Sequence, residues 1–178
     1  MDSLHIDNID VDIVQLKNLL LKLEKEILEK FEGVSARYIT PGSGSKVTNY
    51  QPEYNLNEMD EPLLQELFIK IKEHMSKNGI DVTHRHLHAW LNVHRKGENL
   101  FWHNHDLGCD PDRPNIHGYF CVEAESSKTL YVISGTDPII EVCNKNGTVV
   151  YCCTNIPFLH KVTPWEQDYE RITIGFNF

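Results

Sequence analysis

The sequence predicts a mainly β fold, a sandwich of short strands flanked by two N-terminal helices, and three observations predict it. Apolar residues recur at three- and four-residue steps in two stretches of the first 80 positions. After Gly79 the pattern changes to two-residue alternation. From there on, short apolar runs are divided by turn signals such as Ser134-Gly135 and Asn144-Lys-Asn-Gly147. Two amphipathic helices followed by about eight short strands indicate a helix-flanked sandwich.

The first helix is expected from Ile13 to Phe31, where Ile13, Leu16, Leu20, Leu23, Ile27 and Phe31 form one stripe with Lys and Glu between them. Gly33 is placed to end it. The glycine- and serine-rich stretch from Thr40 to Ser45 is a break, which the polar run through Asn57 continues. A second helix is expected with Asp60 as N-cap and Pro62 in its first turn, carrying Leu64, Leu67, Phe68, Ile71 and Met75 toward a stop at Asn78-Gly79. The first strand is read from Val82 to Arg95. Leu87, Ala89, Leu91 and Val93 give it an aliphatic face, expected to meet the helices. His84, His86, His88, Trp90, Asn92 and His94 give it a ring-rich face, expected to look into the sandwich. Further strands are expected near residues 117–124, 129–133, 139–143, 148–153 and 171–178. The whole, residues 1–178, is read as one domain, with 1–80 as helical support and 81–178 as the β core.

Bulk composition narrows the function classes. With 40% hydrophobic and 24% charged residues the chain is of ordinary globular type. No apolar run approaches the roughly 20 residues a spanning helix needs, so no membrane role is expected. The start Met1-Asp2-Ser3-Leu4-His5 is acidic where a secretory signal would be basic and then apolar, which predicts an intracellular, cytoplasmic protein. Five cysteines without a CxxC pair argue against a disulfide framework and a structural zinc site, and read as reduced, buried thiols. A net charge of -9 repels phosphates and argues against nucleic acid as a partner.

The chemistry is concentrated in the second half. In Trp102-His103-Asn104-His105-Asp106 two histidines stand two apart. In an extended segment their side chains leave one face with Cα atoms about 7 Å apart, from which two imidazoles can converge on an ion. Such pairs also occur without metal. His160 is followed eleven positions later by Arg171. On the terminal strand Arg171, Thr173, Gly175 and Asn177 share a face opposite Ile172, Ile174, Phe176 and Phe178. A guanidinium on an inward face needs an anionic partner: a small dicarboxylate would serve, and so would a salt bridge to one of the many carboxylates of the chain.

Taken in order, His103-Asn-His105, His117-Gly-Tyr-Phe-Cys-Val122, Ile156-Pro-Phe-Leu-His-Lys-Val162 and Glu170-Arg-Ile-Thr-Ile-Gly-Phe-Asn-Phe178 resemble the iron(II)/2-oxoglutarate-dependent oxygenase superfamily. The likeness is strongest to its small members related to prolyl 4-hydroxylases, which share a strand like Trp90-Leu-Asn-Val93 and an HxH motif. The resemblance covers roughly Ala89 to Phe178, half the chain. It implies a double-stranded β-helix (jelly roll) flanked by the two N-terminal helices, with Fe(II) as cofactor and 2-oxoglutarate as co-substrate. The implied activity is that of a dioxygenase, hydroxylating a small-molecule or peptide substrate with release of succinate and carbon dioxide.

For metal the resemblance implies His103, His105 and His160. Most of the superfamily has aspartate where this chain has His105, so the rival second ligand is Asp106, displaced by a bulge; strand alternation favours His105. Arg171 is implied as the fork holding the far carboxylate of 2-oxoglutarate, with Thr173 adding a hydroxyl. Asn92 and Tyr119 are further candidate contacts, each equally suited to be an interior hydrogen-bonding group. His94 and His117 are read as supporting residues beside the site, and residues 107–114 as an insertion shaping the substrate entrance. His84, His86 and His88 span about 13 Å on one strand, and are read as a polar strand end or substrate channel. Two other functions compete: a three-histidine dioxygenase of cupin type that needs no 2-oxoglutarate, and a binding module that keeps the jelly roll without turnover.

Overall fold

The computed structural model describes residues 3–30, 46–47, 54–104, 114–133, 138–154 and 158–178. The first helix, α1, runs Ile13–Lys30, and Asp12 caps it by accepting the Gln15 N–H at 2.9 Å. The second, α2, runs Pro62–Lys77 with Glu61, not Asp60, at the cap and no side-chain cap bond. Pro62 explains the shift: with its φ fixed and no N–H to satisfy, it opens the helix without a capping side chain. The end is as expected. Gly79 adopts a positive φ of 76°, and the N–H groups of Gly79 and Ile80 return to the carbonyls of Ser76 and Met75.

Ten strands are assigned among the described residues: β1 (Ser3–Asn8), β2 (Lys46–Val47), β3 (His88–His94), β4 (Leu100–His103), β5 (Asn115–Glu123), β6 (Lys128–Ile133), β7 (Ile140–Cys143), β8 (Thr148–Thr154), β9 (Phe158–Val162) and β10 (Arg171–Asn177). They form two antiparallel sheets. The larger has the order β1-β8-β5-β10-β3-β2 and the smaller β4-β9-β6-β7. This is the double-stranded β-helix.

Alternation gives the larger sheet two chemically distinct faces. Ala89, Leu91 and Val93 of β3, Ile116, Phe120 and Val122 of β5, and Ile172, Ile174 and Phe176 of β10 join Leu16, Leu20, Leu64, Leu67 and Phe68 of the helices in one core. Each such aliphatic or aromatic side chain contributes about 1.5–3 kcal/mol by leaving water. The opposite face turns inward, where Tyr119, Cys121, Val150 and Cys152 meet Tyr131, Val142 and Phe158. Gly175 serves this inner layer directly. A Cβ there would stand 2.5 Å from Cε2 of Trp90, so the indole of β3 lies in the space a side chain would take.

Several expectations are corrected. The first core strand begins at His88 and not at Val82. The preceding residues turn, with the Thr83 N–H on Asp81 Oδ1 at 2.9 Å and the Arg85 N–H on the Val82 carbonyl at 3.1 Å. His84, His86 and His88 alternate with Arg85 and Leu87 in the sequence, and this carries the pattern of β3 back into a turn. His84 and His86 are exposed and off the sheet. β1, β4 and β9 are strands that were not expected, and β2 lies inside the stretch read as a break. Through β1, paired with β8 from Ser3↔Cys153 to Asn8↔Thr148, the N-terminal region completes the larger sheet as well as covering it. Cys121, Cys152 and Cys153 are buried free thiols, while Cys143 is exposed.

Candidate active site

The β4–β9 ladder places His103 and His160 directly opposite one another, with ring centroids 4.1 Å apart. Opposed side chains on neighbouring strands start only about 4.5–5.5 Å apart at Cβ, so the pairing follows from the register. A shift between Leu100 and His103 sets that register. Two more strands bring rings to the same place. His117 of β5 lies 4.7 Å from the His160 ring, and Tyr131 of β6 lies 5.7 Å from it. His117 in turn is hydrogen-bonded through Nδ1 to Asn177 at 3.2 Å and stacks on Trp90 at 5.8 Å.

Burial keeps two of these imidazoles, His103 and His117, neutral. Burial lowers the pKa of His103, against the raising effect of the Phe101 and His160 backbones. Burial takes His117 down to about 3. A neutral ring is the metal-binding form. The Nδ1 of His103 donates to the Phe101 carbonyl at 2.8 Å, which in the neutral tautomer leaves the lone pair on Nε2.

The cationic end is built around Arg171 of β10, 2% exposed. Its Nε donates to Ser127 Oγ at 3.0 Å, and Nη1 reaches Thr173 Oγ1 at 3.5 Å. No carboxylate pairs with it among the described residues. Burial lowers its pKa, and Cys121, Tyr119 and Tyr131 are the nearby groups that raise it. The supporting network is closed: Asn144 Nδ2 donates to Ser127 Oγ at 2.9 Å, and Tyr119 donates to Asn144 Oδ1 at 2.7 Å. Ser127 itself follows Ser126, whose φ of 75° makes the tight β5–β6 turn. Burial raises the phenol pKa of both Tyr119 and Tyr131, so both remain hydroxyls.

The structure thus brings together His103, His160, Arg171, Thr173 and Tyr119 on facing inner surfaces. Tyr131 links the two groups, with its ring beside His160 and its hydroxyl end near Arg171. Asn92 is half-buried opposite Thr173 in the β3–β10 ladder. His105 and Asp106 lie outside the described residues, as do residues 107–113, so the choice between those two ligands falls there. Among the described residues no three His, Cys, Asp or Glu side chains gather as an ion-holding group; His103 and His160 furnish two imidazole nitrogens, which suits iron(II) or another borderline divalent ion. Ser127, Asn144 and Tyr131 were missed from the sequence. Only the alternation of Thr129-Leu130-Tyr131 signalled that Tyr131 points inward.

No protein-family model matches the chain, and no curated protein matches it in sequence. Solved structures do match it in fold. A prolyl-4-hydroxylase of Pseudomonas putida superposes with a TM-score of 0.61 at 12% identity, over 99% of this chain and 91% of that one. The viral collagen prolyl hydroxylase of Paramecium Bursaria Chlorella virus-1, in its 2OG complex, gives 0.62 at 11%, over 98% and 93%. A prolyl hydroxylase of Trichoplax adhaerens, bound to a hypoxia inducible factor peptide fragment, gives 0.61 at 10%, over 98% and 82%. At these identities the likeness establishes a common fold.

Proposed function

We propose that this chain is a non-haem iron(II)/2-oxoglutarate-dependent dioxygenase that hydroxylates a small-molecule or peptide substrate. The observation that carries the reading is Arg171: a fully buried guanidinium, without a carboxylate partner among the described residues, on the same interior as the His103–His160 pair. Leaving such a charge uncompensated costs several kcal/mol, and a dicarboxylate reaching from the histidines to Arg171 offsets that cost. The fold shared with prolyl hydroxylases supports the same reading.

In this reading His103, His105 and His160 would hold the metal. Bound iron would supply activation of dioxygen, the oxidant, with 2-oxoglutarate as the two-electron reductant: one oxygen atom ends in succinate as carbon dioxide is lost, and the other in the hydroxylated substrate. Arg171 would grip the far carboxylate, its Nε held by Ser127 and its Nη1 within reach of Thr173. Thr173 adds a hydroxyl, and Asn92 and Tyr119 line the path. The buried rings of Tyr131, Phe158 and His117 keep water from the reacting atoms. We assign residues 1–178 to one working unit, and the free thiols of Cys121, Cys152 and Cys153 suit an intracellular setting.

The test is anaerobic calorimetry with iron(II) and 2-oxoglutarate, followed by a screen for substrate-stimulated succinate release. Binding of 2-oxoglutarate that depends on metal is expected, with a weak visible charge-transfer band. No 2-oxoglutarate binding in the presence of metal overturns the reading.

A further inference from the structure

One buried imidazole has no part in the site as described. His94 closes β3 on its inner face, directly opposite Arg171 in the β3–β10 ladder. It is 1% exposed, and neither ring nitrogen has a hydrogen-bond partner among the described residues. Buried polar atoms are almost always satisfied, so two on one ring call for a cause. Opposed residues in such a ladder have Cα atoms about 4.5–5.5 Å apart, which puts the imidazole beside the guanidinium that has no carboxylate. Burial first, then Arg171 and Arg95, hold the ring well below its usual pKa. It is therefore neutral, with one N–H to donate and one lone pair, and adds no second positive charge next to Arg171.

We propose that His94 is a second binding residue of the carboxylate subsite, its ring N–H donating to the dicarboxylate end that Arg171 holds. The identity of that acid as 2-oxoglutarate rests on the dioxygenase reading; the subsite itself rests on His94 and Arg171. The pair would work as a charged fork and a neutral donor on one anion, so that His94 contributes direction and reach where Arg171 contributes charge.

The experiment titrates wild type, His94→Phe and His94→Gln with 2-oxoglutarate plus manganese(II), and separately with glutarate without metal. His94→Phe keeps a ring and removes both nitrogens; His94→Gln restores an N–H at similar reach. The expected result is a loss of about tenfold or more in affinity for both acids in His94→Phe, recovery of most of it in His94→Gln, and unchanged manganese affinity. Thermal unfolding of each variant checks that it is folded. If His94→Phe binds both acids as wild type does, a buried water satisfies the ring and the proposal is wrong, while the dioxygenase reading stands. If glutarate binds in a His94-dependent way but manganese adds nothing to 2-oxoglutarate binding, the subsite stands and the dioxygenase reading fails. Wild type that binds neither acid overturns both.

Discussion

Arg171 sets a conflict between stability and binding at the scale of one side chain. Its Nε bond to Ser127 and long contact to Thr173 orient the guanidinium without neutralising it. Replacing it with Met, of similar length and apolar, is therefore expected to stabilise the ligand-free protein by about 1–4 kcal/mol, read from urea denaturation. Arg171→Ala is expected to weaken 2-oxoglutarate by roughly thirtyfold or more, the worth of a desolvated charge-assisted pair, with metal affinity unchanged. An Arg171→Met variant less stable than wild type would show that the charge is compensated by residues outside those described. Arg171 and Thr173 were legible in the sequence because strand alternation gives each a face. Ser127, Asn144 and Tyr131 were not, because what they do depends on β6 and β7 meeting β5 and β10, and no local period records that encounter.

The elements carry the histidines in a way that couples them to pH. His94 on β3 and His117 on β5 are both held below the ordinary imidazole value by burial, His117 at about 3. In the unfolded chain each takes up a proton near pH 6.5, while the folded protein resists it. Their contribution is fully present above pH 6.5 and is lost as pH falls toward the folded values. Each group costs up to about 1.4 kcal/mol per pH unit in that window. Metal-free protein is thus expected to be measurably less stable at pH 5.5 than at pH 7.5, and guanidinium denaturation at the two values checks it. Equal stability would mean that these rings take protons in the folded state. Periodicity found α1 and α2 nearly to the residue, since long amphipathic stripes are unambiguous. It failed at His84 and His86, which fall in step with His88 in the sequence although the chain turns there and leaves both exposed. It also failed at β1, a six-residue edge strand whose apolar residues are only Leu4 and Ile6, of which Leu4 packs on the inner core and Ile6 is exposed.

For the whole molecule, β1 is more than an ornament on the larger sheet. It covers β8, whose seven residues are all buried, and shields an apolar strand edge of the kind that pairs with other chains. Removing residues 1–8 is expected to give self-associated protein, seen as a rise in mass by light scattering, whereas a monodisperse product of unchanged stability would show β1 to be dispensable. The opposite margin of the sandwich behaves differently. β4 is an edge strand held to the rest by β9 alone within its sheet, and its last residue is His103, locked in register with His160. An ion bound by that pair would staple an edge strand that has a sheet neighbour on one side alone. Amide hydrogens of Phe101 to His103 should therefore exchange with solvent fast in metal-free protein and slow down when metal is added, more than amides of β10 at the sheet centre. An edge strand of the smaller sheet would then be a clock that records whether the site is filled, without any turnover being measured.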